Sequence, residues 1–141
     1  MAAHEPESLV SAACAEADRY KWIVSEQLGY DAGPAAIDEW FQRYWRGFVR
    51  ACMVEHVLGL KFYREFGEAS FCVAERVRPT HPELLEWLLN QLQHGAENLD
   101  ILVRAQDEGL PRDELLAILA LVDINAWRFP PVRPALASSM C

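Results

Sequence analysis

Glu55 and His56 stand side by side in "CMVEHVLG", a run that is otherwise apolar on most faces of a helix. Neighbouring helical positions point in different directions, so at least one of this carboxylate–imidazole pair faces inward or toward a groove. Further along, His94 and Glu97 have the i, i+3 spacing that lets two metal ligands converge, and Glu26 and Asp123 offer carboxylates from two other segments. Glu26, Glu55, His56, His94, Glu97 and Asp123 would then supply a ligand group from each helix, loosely like a ferritin-like di-metal bundle. The pattern is deficient, because such bundles use two Glu-x-x-His motifs and this sequence has a single reversed His-x-x-Glu. The competing reading is a polar seam, in which Glu97, Asn98, Asp100, Asp123 and Asn125 hydrogen-bond helix ends and one another.

Nucleophilic chemistry has weaker support. Cys52 and His56 are i, i+4, but Cys52 sits among bulky apolar residues that would stabilise a thiolate poorly. The four cysteines, Cys14, Cys52, Cys72 and Cys141, include no C-x-x-C pair, so they read as buried thiols rather than as a zinc or redox site. The phosphate-binding glycine motifs and the G-x-S-x-G elbow are absent. The sequence therefore assigns no catalytic residue and no cofactor.

Binding residues are more plentiful. Arg43, Arg46 and Arg50 recur at i, i+3 and i+7 in a chain of net charge −8. Guanidinium groups pair bidentately with carboxylates. Where Glu26 or Glu39 does not answer them internally, the stripe would attract an acidic surface of another protein or of a second copy, with Trp40 and Tyr44 as aromatic anchors. Trp22, Trp40 and Trp45 could instead line a pocket for a flat ligand, against the plainer reading that they pack the core.

These residues need helices to hold them. Leu9, Val10, Ala13, Ala17, Tyr20, Val24 and Leu28 share a face, predicting a helix from about Glu7 to Leu28. Gly29 ends it and Asp31 to Pro34 supplies a turn, so "KWIVSEQLGYDAGPAAIDEW" (Lys21 to Trp40) reads mainly as a helix corner. From Pro34 onward, apolar and aromatic residues cover most of the circumference, as in a central buried helix. An uninterrupted helix from Pro34 to Phe66 would run about 50 Å, beyond the roughly 37 Å diameter of a compact chain of this length. A break is expected near Gly59, followed by a short helix, and another is expected within "GEASFCVAERVR". Thr80 and Glu83 suggest a capping box opening a long helix through Leu85, Leu88, Leu92, Leu99 and Leu102 to Gly109. Pro111 then starts a last helix reaching about Trp127. The prediction is an all-α bundle of four principal helices with a short extra helix, forming one domain over residues 1–127, and a Pro-rich C-terminal tail over 128–141.

With 52% hydrophobic and 24% charged residues, the composition is that of a globular domain. The negative charge disfavours nucleic acid. "LLAILALV" is far too short to cross a bilayer and "MAAHEPESLV" lacks a signal-peptide pattern, so a cytoplasmic location away from membranes is expected. "KWIVSEQLGYDAGPAAIDEWFQRYWRGFVR", Glu55-His56, "GAENLDI" and "GLP" resemble a group of short bacterial proteins of uncharacterised function, from Lys21 to about Asn125. The resemblance implies a single helical bacterial domain and carries no activity. By elimination the expectation is a non-catalytic interaction protein, binding another protein or its own copy. The alternative is a metal- or small-ligand-binding bundle, enzymatic or not, centred on Glu55, His56, His94 and Glu97.

Overall fold

The first helix begins where its free backbone N–H groups find acceptors. Ser8 is the N-cap and its hydroxyl accepts from the Ser11 N–H at 3.2 Å. The Glu65 carboxylate reaches back across the chain to accept from the Leu9 N–H at 2.7 Å and the Ser8 hydroxyl at 3.1 Å. A negative charge at this end also complements the helix dipole. Beside it, Glu7 and Tyr63 form an isolated parallel bridge, with the Glu7 N–H donating to the Phe62 carbonyl at 2.8 Å.

The computed structural model describes residues 6–122. These form six helices and no strand: α1 (Leu9–Leu28), α2 (Pro34–Val57), α3 (Val73–Val77), α4 (Pro82–Gln93), α5 (Asn98–Asp107) and α6 (Arg112–Val122). The chain is all-α. Asp123, Asn125, Trp127 and the Pro-rich tail at 128–141 lie outside the described residues. α1 packs along α2, α2 against α4, α5 against α6, and the short α3 against both α4 and α6. One continuous core joins Leu9, Ala13 and Ala17 of α1, the aromatic face of α2, the leucines of α4, and Ile101, Leu115 and Ile118.

Three expectations about the elements need correction. The long helix from Pro82 to Gly109 is two helices, because α4 terminates at Gly95 with φ +81°. The Ala96 N–H donates to the Gln91 carbonyl and the Gly95 N–H to the Leu92 carbonyl, both at 3.1 Å. This is the Schellman pattern, in which a left-handed residue satisfies the last carbonyls of a helix. Leu99, in register with Leu85, Leu88 and Leu92 if the helix were continuous, lies 73% exposed. The Thr80–Glu83 capping box is also absent. Pro82 opens α4 and makes His81 the N-cap, so Thr80 stands one residue too early, and its hydroxyl donates to the Val77 carbonyl at 3.1 Å instead. The capping box falls at Glu97 and Asp100, at the start of α5.

The predicted break at Gly59 is present and uses the same Schellman bonds, from Leu60 to Glu55 and from Gly59 to His56. No helix follows before Val73; residues 58–72 form a turn-rich connection that folds back over the end of α2. Cys72 bonds through its N–H to the His56 carbonyl at 3.0 Å. Its sulfur lies so near Gly59 that a Cβ there would sit 2.7 Å away. No helix among the described residues is long and apolar enough to cross a membrane.

Candidate functional site

The chemistry-bearing pair Glu55–His56 occupies the last turn of α2, where the 58–72 connection returns. His56 is fully buried. Its Nε2 lies 2.7 Å from the Gly67 carbonyl, which can only accept, so Nε2 carries the proton. Nδ1 accepts from the Tyr63 N–H at 3.1 Å. Both ring nitrogens are therefore spent on backbone, and the ring is surrounded by Phe62, Phe66 and Phe71 with centroids 5.1–5.4 Å away. Burial holds the His56 imidazole below its usual range, against the opposing backbone bonds of Gly67 and Lys61. A neutral, fully bonded imidazole fastens a loop; it has no lone pair left for a metal.

Glu55 also engages the 58–72 connection. Its carboxylate accepts from the buried Tyr63 hydroxyl at 3.2 Å and lies 3.9 Å from the Lys61 ammonium. Burial pushes the neighbouring Cys52 thiol up to about 11, so it is no thiolate nucleophile at neutral pH. Of the other cysteines expected as buried thiols, Cys14 and Cys72 are half-buried and Cys141 lies outside the described residues.

The remaining ligand candidates are dispersed. The His94 Nδ1–H donates to the Asn90 carbonyl at 2.7 Å as α4 ends. Glu97 caps α5 and pairs with Arg50 of α2 at 3.3 Å. Glu26 lies on the outer surface of α1, and Asp123 is outside the described residues. Among the described residues no three of His, Cys, Asp and Glu are grouped as a metal site. The reversed His-x-x-Glu spacing presumed one helix through both residues, and the Gly95 break removes that premise.

The arginine stripe is also divided. Arg50 is 9% exposed and paired with Glu97, and Trp40 is 6% exposed, packed edge-on to Phe41 and Phe48. Neither can anchor a partner at the surface. Arg43 remains outside but is held by Glu39 at 3.0 Å. Tyr44 stands at the surface edge-on to Tyr20, with centroids 5.5 Å apart, and Arg46 is exposed.

The two most exposed aromatic side chains among the described residues, Trp22 and Tyr30, stand at the α1–α2 corner, which the sequence reads chiefly as a turn. The corner itself is well bonded. The Ser25 hydroxyl donates to the Lys21 carbonyl at 2.7 Å and accepts from the Ala32 N–H at 2.9 Å, while the Asp31 carboxylate accepts from the Gly33 N–H at 2.9 Å. No residue between Ala17 and Ala36 is buried. Trp22 is 65% and Tyr30 67% exposed, with Ile23 and Leu28 exposed beside them in the sequence. Trp22 and Tyr30 line an open groove of about 650 Å³ together with Asp18, Lys21, Ser25, Glu26, Gly29 and Asp31. The signal is present in "KWIVSEQLGY", but sequence alone does not separate Trp22 from Trp40 and Trp45, which are buried. The chain matches no family model, no curated protein and no solved structure among known proteins.

Proposed function

We propose that this protein is a non-catalytic interaction module that engages a protein partner, or a second copy of itself, through the α1–α2 corner. The observation that carries the reading is the concentration of exposed large apolar residues, Trp22, Ile23, Leu28 and Tyr30, at a corner whose backbone is fixed by Ser25 and Asp31. Rigid aromatic residues give large contact area at small entropic cost, and they are enriched where proteins bind. By contrast, His56, Glu97 and Cys52, the groups with the most chemical potential, serve the fold. Arg43, Tyr44 and Arg46 form what is left of the surface stripe and supply a second, smaller contact. In this reading the protein works in the cytoplasm, without nucleic acid or membrane, as its net charge of −8 suits.

The test compares the parent with Trp22→Ala/Tyr30→Ala. The double variant is expected to keep its helical circular dichroism and melting temperature while losing self-association in sedimentation, or losing a protein that the parent captures. A folded variant that keeps both properties refutes the corner as the working surface. Stoichiometric metal retained by the purified parent would replace the reading with the metal-binding alternative.

A further inference from the structure

The charge of the corner groove narrows the partner. Its lining holds three carboxylates, Asp18, Glu26 and Asp31, against one ammonium, Lys21. Lys21 lies 3.7 Å from Asp31 and is thereby committed. Asp18 and Glu26 enter no ion pair among the described residues. The two aromatic residues of the same groove, Trp22 and Tyr30, present ring faces whose negative quadrupole attracts ammonium and guanidinium groups. Lysine and arginine are the side chains that satisfy both features at once, because their apolar stems cover a ring while their heads stay among carboxylates and water. A phosphate or an acidic peptide meets repulsion there, and a purely apolar segment leaves the carboxylates unused. The volume lies within the range of small binding clefts and admits more than one side chain.

We propose that the groove lined by Trp22 and Tyr30 binds a basic segment of a protein partner, seating a lysine or arginine against the rings with its charge answered by Asp18 and Glu26. The proposal rests on the interaction reading above and adds the chemistry of the partner.

The probe is a short synthetic peptide alternating Lys-Arg with Gly-Ser, beside versions in which glutamine or glutamate replaces every basic residue. The full chain is observed by the indole N–H resonance of Trp22, assigned by its loss in Trp22→Phe. The basic peptide is expected to shift that resonance saturably and more weakly at high salt than at low salt, while the glutamate peptide leaves it unmoved. Asp18→Asn/Glu26→Gln should weaken binding roughly ten-fold, the sum expected of two exposed ion pairs. Lys21→Gln, which removes the competing cation, should tighten it and carries the test if the double variant loses helix. An unmoved resonance at millimolar basic peptide, equal binding of the glutamine peptide, or unchanged affinity in Asp18→Asn/Glu26→Gln overturns the proposal. Tightening absent from Lys21→Gln does the same. Any of these, found while Trp22→Ala/Tyr30→Ala still abolishes self-association or capture, leaves the corner as the working surface and rejects only a basic partner.

Discussion

Protonating His56 would take Nδ1 away from the Tyr63 N–H and place a charge among Phe62, Phe66 and Phe71. Its folded-state pKa is held below 6.5, so the unfolded chain takes up the proton first. The sign follows from linkage: the neutral ring's contribution is complete above pH 6.5 and is lost as pH falls below it. Glu65 acts lower on the scale. Burial alone would raise its pKa, but the N–H groups of Leu9 and Val10, its own N–H and the Ser8 hydroxyl together bring it below 4.5. Its contribution is present above pH 4.5 and is lost on further acidification. Urea midpoints should therefore decline in two stages from neutral to acid pH. Glu65→Gln should cost about 1 kcal/mol at neutral pH, as losing a helix cap does, and should flatten the lower stage. A midpoint constant between pH 7 and pH 5 would show that His56 is not held neutral by its cage. The sequence marked Glu55-His56 as unusual and placed both on α2. It could not show what they bond to, since the partners of His56 are a carbonyl and an N–H set by loop conformation, eleven and seven residues away.

The elements were legible wherever periodicity and a terminator agreed. Leu28–Gly29 and Pro34 fixed the first corner, and the length argument placed the end of α2 near Gly59. Gly95 was missed because leucines at near-heptad spacing continue across it, so the apolar pattern outweighed the glycine. The three Schellman ends, at Gly59, Gly95 and Gly109, are alike in bonding but not in surroundings. At Gly95, with φ +81°, an added Cβ meets nothing within 4 Å. Gly95→Ala should then cost about 1–2 kcal/mol, the expense of a left-handed non-glycine residue alone. At Gly59, with φ +80°, the Cβ would sit 2.7 Å from the Cys72 sulfur. Gly59→Ala adds about 1–3 kcal/mol of overpacking to the same conformational cost. Cys72→Ala introduced with it removes the 2.7 Å sulfur contact and should recover most of the steric part, leaving the conformational cost. Thermal unfolding of the four proteins of this cycle separates the two terms. Equal losses for Gly95→Ala and Gly59→Ala would mean that the 58–72 connection yields freely, and so does not fix His56.

At the scale of the whole molecule, the chain divides between a packed body and a corner that leaves it. Periodicity in α1 runs without interruption from Leu9 to Leu28, yet only Leu9, Ala13 and Ala17 are buried. A sequence pattern names the face that would pack; whether another element reaches it depends on where the bundle stops. The same limit explains why Trp22 and Trp45 looked equivalent in the sequence. Trp45 packs against Phe41 with centroids 5.4 Å apart and is buried in α2's aromatic face, whereas Trp22 stands in solvent. Trp45→Ala should cost about 3–5 kcal/mol, the range for deleting a buried large aromatic. Trp22→Ala and Tyr30→Ala should each stay within about 0.5 kcal/mol of the parent. Their chemical-denaturation curves should also keep the parental slope, since no apolar surface of the body is newly exposed. A loss of more than about 1 kcal/mol from Trp22→Ala would place its ring in the folded body, and a loss of less than about 1 kcal/mol from Trp45→Ala would put the aromatic face of α2 outside it. The expected contrast leaves Trp22 and Tyr30 free of any duty to the fold, the condition under which two exposed aromatic residues are available to a partner.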